Sequence, residues 1–225
     1  MQLAKNDALL TALADHLRLP LLQIARLSET KHQHALQRIG IISEQSLRLV
    51  DAYVMATTQQ ELLLEPISAG AVMADVAHVL DDFARAANYQ IIIDQSTPTG
   101  LVMAHQPTLK MMFLMLGSSL IEAGLEREAI DRRLILGSHR SSRGVVVGAF
   151  NSSLELTQDV LNLTRQLHGR ASQPAPALGG AGAAGLAIAD NLSYQMQTPL
   201  KCYRHKALKG IGSLLLPTSQ LELFV

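Results

Sequence analysis

Apolar residues step by three and four through Leu10, Leu13, Leu17, Pro20, Ile24 and Leu27. They do so again through Ala35, Ile39, Ile42, Ser46, Leu49, Tyr53 and Ala56. This is the seam spacing of packed helices. The polar stretch Thr30–His34 between them reads as a turn, so the first third of the chain is a helical hairpin. Asn6 or Asp7 can cap its start. Pro20 lies inside the first seam, removes a backbone donor and is expected to kink that helix. Further apolar residues, Leu9, Leu21, Leu36, Leu47, Val50 and Val54, exceed what a single seam requires. They can bury against the rest of the chain or against a second copy. Pairing two hairpins into a four-helix bundle is the more economical solution, and a homodimer is expected.

From Leu62 the texture changes. Helical patterns cover Ala69–Asn88, Gln106–Ala123, Leu154–Leu167 and Gly185–Gln195. Strand-like runs cover LLLEPIS, Tyr89–Asp94, Leu101–Ala104, Arg133–Gly137, Gly144–Phe150, Lys201–His205 and Gly212–Pro217. SHRSSR is a polar turn between two strands, and Ser172–Gly185, rich in Pro, Gly and Ala, is a loop. The fold class is α+β: a hairpin over residues 1–62, then a mixed sheet with helices mainly on one face over 63–225.

At 225 residues the chain can bury about 70% of its unfolded surface. Nineteen basic and nineteen acidic residues cancel, which argues against nucleic acid or an anionic membrane as a partner. With no Trp, the core is aliphatic, and Met103, Met111, Met112 and Met115 read as filler within it. The single cysteine, Cys202, excludes an internal disulfide framework and a cysteine-based zinc cluster. With no secretory signal pattern and no uninterrupted apolar run of membrane-spanning length, a cytoplasmic protein is expected. His32 and His34 read as surface histidines, and no metal site is expected. The absence of G-x-S-x-G leaves a serine hydrolase without support.

In its order of elements the chain resembles the core of a bacterial sensor histidine kinase: a dimerisation hairpin carrying the phosphorylated histidine, then an ATP-binding domain of the Bergerat type. The family's hairpin motif is His-Glu-Leu-Arg-Thr-Pro-Leu, and Ala14–Leu21 reads ADHLRLPL. Arg18, Pro20 and Leu21 match without gaps. That register puts Asp15 in the phosphoacceptor position and His16 one place later. Making His16 the acceptor requires a one-residue deletion, which rotates the preceding helix by about 100°. A carboxylate at 15 cannot form the phosphohistidine.

The nucleotide boxes depart further. Along Leu109–Ala123, LKMMFLMLGSSLIEA, Ser119 stands where the family's metal-binding asparagine belongs, and Met115 replaces an earlier asparagine. A hydroxyl is a shorter, poorer Mg²⁺ ligand. Where the family has Asp-x-Gly-x-Gly to read adenine, the strand runs into GAFNSS, with Asn151 as a loose substitute. The last box is best kept: Gly179–Ile188 reads GGAGAAGLAI, so Gly180, Gly182 and Gly185 would line a vestigial phosphate loop. The family also suggests an aspartate where His105 precedes the second long helix of this half.

The resemblance implies a degenerate kinase-like signalling protein without ATP chemistry, needing neither ATP nor Mg²⁺. It would act as a dimeric scaffold or regulator in a two-component or phosphorelay pathway. Arg18, Leu19 and Arg26, on the hairpin surface from Asp15 to Arg26, would dock a response regulator or a partner histidine kinase. The alternative is an enzyme, a histidine kinase or an ATP-independent histidine phosphotransferase, passing phosphate through His16 to a response regulator. A third reading has the old nucleotide cleft, lined by Ser119, Asn151 and Gly179–Gly185, holding another small molecule.

Overall fold

A computed structural model describes residues 2–29, 34–58, 61–95, 99–154, 156–166 and 181–218. The hairpin is α1, Gln2–Ser28, and α2, Ala35–Thr57. Helix α1 continues through Pro20. The expected turn at Thr30–Gln33 lies outside the described residues. After the hairpin come β1 (Glu65–Ser68), α3 (Ala69–Ala86), β2 (Gln90–Gln95), β3 (Leu101–Ala104) and α4 (Gln106–Glu126). Then follow β4 (Arg133–Ser141), β5 (Gly144–Asn151), α5 (Gln158–Gln166), α6 (Ala181–Gln195), β6 (Lys201–His205) and β7 (Leu208–Pro217).

Local chemistry sets several boundaries. Ser68 caps α3 by accepting a hydrogen bond from the Ala71 amide. Asn88, at a left-handed φ of 55°, ends it, and the Tyr89 amide donates back to the Ala84 carbonyl. Helix α6 starts earlier than expected, at Ala181. Its run of alanines has the strongest intrinsic helix preference, which outweighs the two glycines. Of the expected Pro/Gly/Ala loop, residues 172–180 lie outside the described residues. Strand β4 runs on to Ser141, so the first residues of the expected SHRSSR turn are strand, and His139 with them.

The sheet order is β1-β3-β7-β5-β4-β2, with β6 paired to β7 beside this path. β2 and β4 are parallel and the other pairs antiparallel. One face, bearing Leu134, Leu136, Val145, Val147, Ala149, Ile211 and Leu215, joins α3, α4 and α6 in a continuous apolar core. Helix α4 is long and apolar enough to cross a membrane, yet most of it is buried as the central core helix.

The hairpin joins this core: Leu9, Leu13, Leu49, Ala52 and Ala56 are buried in it. The seam therefore runs through Leu9, not through Leu10, which is 51% exposed. Leu13 and Leu17 of the expected seam keep their place against the core, and packing of α1 on α6 puts Leu9 rather than Leu10 beside them. Leu19, Leu21, Leu22, Leu36 and Leu47 remain at least half exposed.

On the opposite sheet face Gly137, Gly148 and Gly212 are cross-strand neighbours. With no side chains there, rings lie close to the backbone. A Cβ on Gly137 would stand 3.0 Å from the His205 ring. Phe150 stacks on His205 at 4.9 Å between centroids. His205 is 2% exposed. Its Nε2 lies 3.2 Å from Asp94 Oδ2 on β2, and its Nδ1 lies 3.2 Å from His139 Nδ1 on β4. Lys206 also pairs with Asp94.

Two stability predictions follow from this packing. Gly210→Ala would place a Cβ 2.3 Å from the Ala149 carbonyl oxygen and from the Phe150 ring. Urea unfolding is expected to show a loss of about 1–3 kcal/mol. Gly40→Ala, on an open face of α2, meets nothing within 4 Å and should gain about 0.5–1 kcal/mol. A third prediction concerns pH. Burial, then the neighbouring His205, pushes the His139 imidazole below its ordinary value. Asp94 and Lys206 are the other charged groups at this cluster. As pH falls below about 6.5, an unfolded His139 binds its proton before the folded one does, so stability falls with it. Unfolding midpoints between pH 7.5 and 5 should drop more steeply for the parent chain than for His139→Gln.

Candidate functional site

Helix α6 holds the end of the hairpin. The last carbonyls of α2 have no partners within their own helix. Asn191 donates to the Ala56 carbonyl at 3.0 Å, and Gln195 donates to the Ala56 and Met55 carbonyls at 2.8 and 3.3 Å. Behind them, Arg165 of α5 grips Asp190 of α6 through Nε and Nη2, at 2.8–3.2 Å, and donates to the Leu200 carbonyl. These polar contacts orient α6 between the hairpin and the sheet.

The result is a cavity of about 120 Å³ between the hairpin and the α4–α6 pair. Its walls include His16, Pro20 and Ser46 from the hairpin, Ser119 and Glu122 from α4, and Gly185 from α6. His16 is half-buried, with Nε2 3.6 Å from Glu122 Oε1. Asp15 is exposed, as are Arg18, Leu19 and Arg26. Thus the histidine, not the residue in the acceptor register, faces inward. Glu122 was not singled out in the sequence. It is one turn beyond Ser118 on α4, and only the tertiary fold brings it to His16.

Ser119 is 1% exposed, and its hydroxyl has no hydrogen-bond partner. Gly185 is seated directly on it: a Cβ at 185 would lie 2.3 Å from Ser119 Oγ and 3.3 Å from the Met115 carbonyl oxygen. Helices α4 and α6 therefore touch at the residue that the resemblance puts in the place of the metal-binding asparagine. The Ser119 and Gly185 pair does not fit a magnesium–triphosphate group in this arrangement.

Asn151 is 1% exposed and does not line the cavity. Its Nδ2 donates to the Arg133 carbonyl at 2.9 Å. Its Oδ1 accepts from the Ser153 and Leu154 amides at 2.7 and 3.1 Å. The carboxamide is spent on closing the turn after β5, a common use of asparagine. Gly182 sits in the first turn of α6, and Gly180 lies outside the described residues. Ser119 and Gly185 are thus brought together, while Asn151 is held apart in its own turn. His105 precedes α4, with Nδ1 2.8 Å from Thr108 Oγ1.

A second cluster, Asp94–His205–His139, lies on the opposite sheet face. The three residues are far apart in sequence. Only the fold unites them, by bringing His205 at the end of β6 to Asp94 of β2 and His139 of β4.

No protein-family model and no curated protein matches the sequence. Solved structures do. The histidine kinase AdeS of Acinetobacter baumannii is 13% identical, with a TM-score of 0.51 over 89% of this chain and 96% of that one. Full-length ShkA in complex with AMPPNP is 17% identical, with a TM-score of 0.55 over 94% of this chain and 45% of that one. Histidine kinase ThkA in complex with response regulator TrrA is 14% identical, with a TM-score of 0.54 over 90% and 58%. Hairpin, mixed sheet and core helices together give this chain the α+β fold of a sensor histidine kinase core.

Proposed function

We propose that this chain is a two-component signalling protein that has kept the kinase scaffold without ATP-dependent phosphorylation. It works as a dimeric scaffold or regulator, presenting the hairpin surface from Asp15 to Arg26 to a response regulator or a partner kinase. The observation that carries this reading is the contact of Gly185 with the Ser119 hydroxyl. A phosphate at that level would have to separate α4 from α6, the most intimate packing of the core. The locked carboxamide of Asn151 supports it further, because an adenine amino group would find no free acceptor there.

Dimerisation is supported by the leucines of α1 and α2 that the rest of the chain leaves uncovered. A second copy would bury them, as in a four-helix bundle. A regulator partner is supported by the likeness to ThkA, which is seen with its response regulator. The exposed Arg18 and Arg26 supply positive charge for an acidic partner surface.

The alternative of a phosphate relay through His16 has one observation in its favour. Glu122 stands 3.6 Å from the imidazole, where a carboxylate orients a nucleophilic histidine. A partner kinase would then supply the phosphoryl group, and the hairpin would have to lift from α4 to release it.

Calorimetric titration with ATP and Mg²⁺ should give no binding heat up to low-millimolar nucleotide. A saturable isotherm would overturn the proposal. Ser119→Asn, which restores the family's metal-binding residue type, should not create binding. It should cost about 1–3 kcal/mol, because the longer side chain meets Gly185. Sedimentation should find a dimer, with Leu21→Glu or Leu47→Glu shifting it to monomer. In mixtures with a phosphorylated partner, His16→Ala should leave regulator phosphorylation unchanged; its loss would favour the relay.

A further inference from the structure

The cavity between the hairpin and the core has a floor and a rim of different chemistry. Leu49, Met115, Ser118, Ser119 and Gly185 form its buried part. Pro20, Ile42 and Phe83 add apolar surface. The exposed Gln23 and the half-buried Gln45 stand where the wall meets solvent.

The hydroxyls in the wall differ in what they have left to offer. Ser46 donates its hydrogen to the Ile42 carbonyl at 2.8 Å, and Ser118 donates to the Leu114 carbonyl at 2.9 Å. Both retain only acceptor capacity. Ser119 is 1% exposed, and its hydroxyl uses neither its donor nor its acceptor capacity. A Cβ at 185 would lie 2.3 Å from that oxygen, so the missing side chain of Gly185 leaves the hydroxyl open on this side. A buried polar group without a partner is costly, and a ligand that both donates and accepts would satisfy it.

Size and charge narrow the occupant. The cavity measures about 120 Å³. An apolar cavity of about 150 Å³ takes up benzene, so a single ring is the right scale and a nucleotide is too large. An anion would meet the Glu122 carboxylate and no lysine or arginine in the wall. Glu122 already faces His16 at 3.6 Å, so a cation would have to compete with the imidazole for it. An uncharged hydroxyl needs no counter-ion and matches Ser119 as donor and as acceptor.

We propose that this cavity is a binding site for a small uncharged hydroxyl compound of single-ring size, a phenol or a cyclic alcohol, held by Ser119. Its walls come from both the hairpin and the core, so an occupant bridges them and stabilises the docked hairpin by mass action. The inference is independent of the scaffold and relay readings: nucleotide binding and occupancy of this cavity are read by separate titrations.

Phenol titrated into the full chain, followed by ligand-observed NMR, should bind saturably at high-micromolar to low-millimolar concentration, the range open to a ligand of about seven heavy atoms. Benzene, benzoate and benzylammonium should each bind several-fold more weakly. Ser119→Ala should weaken phenol several-fold and leave benzene unchanged. Ser46→Leu, which fills the cavity from α2, should abolish binding. At phenol about ten times its Kd, amide exchange in α1 and α2 should slow by up to about tenfold, with less change in the sheet. No saturable binding by about 10 mM phenol, undiminished binding to Ser46→Leu, or tighter binding of either ion than of phenol would overturn the proposal. Equal affinity of parent and Ser119→Ala for phenol would overturn the role of the hydroxyl, and unchanged exchange in the hairpin would overturn the bridging. If Ser46→Leu fails to fold, the comparison of phenol with benzene on the parent and on Ser119→Ala decides the matter.

Discussion

The contact of Gly185 with Ser119 is the constraint on which the arrangement of helices depends. Two helices approach this closely only where one supplies a glycine and the other a small side chain, since a Cβ at 185 would collide with the hydroxyl. Ala184, Ala187 and Ala189 of α6 are buried as well. Seating α6 there buries Leu186, Ile188 and Leu192 in the core and carries Asn191 and Gln195 to the end of α2. One small-residue contact thereby sets the depth of α6, the docking of the hairpin and the shape of the cavity beside His16. It also leaves a hydroxyl without a partner, a cost of roughly 1–3 kcal/mol that tight apolar packing around it must offset.

The hairpin is consequently two-sided. One stripe is committed to the chain's own core through Leu9, Leu13, Leu49 and Ala56, and it turns His16 toward Glu122. The other keeps leucines in solvent. In this arrangement a partner approaching from outside meets Asp15, Arg18, Leu19 and Arg26 before it meets His16. Scaffold and relay readings therefore differ in a physical requirement: docking uses the surface as it stands, whereas transfer through His16 needs the hairpin to move. The sheet's other face depends on glycine in a different manner. Gly137 lets the His205 ring lie on the backbone, which brings together a carboxylate and two imidazoles from three strands.

Much of the architecture was legible from residue order. The two seams located α1 and α2, the β-branched run near Ile91 located β2, and the helical pattern over Ala69–Asn88 located α3. The departures have definite causes. Leu10 is exposed because packing against α6, rather than an isolated hairpin, chooses whether it or Leu9 is buried. The SHRSSR segment is partly strand because its polar residues lie on a ladder paired with β5, where backbone hydrogen bonds outweigh turn preference. Gly/Ala-rich Ala181–Gly185 is helix because alanine's preference prevails once α4 offers a surface to pack on.

Sequence alone determined the element types and their order, because local periodicity, capping and propensity act over a few residues. It also showed which chemical groups stand at each kinase-like box. It could not say what those groups touch. That Asn151 is spent on its own turn, that Ser119 lies under Gly185, that His16 meets Glu122 and that His139 joins His205 and Asp94 are contacts between residues distant in the chain. Only tertiary packing decides them, because the energy of each depends on the neighbours that the fold brings within a few ångströms.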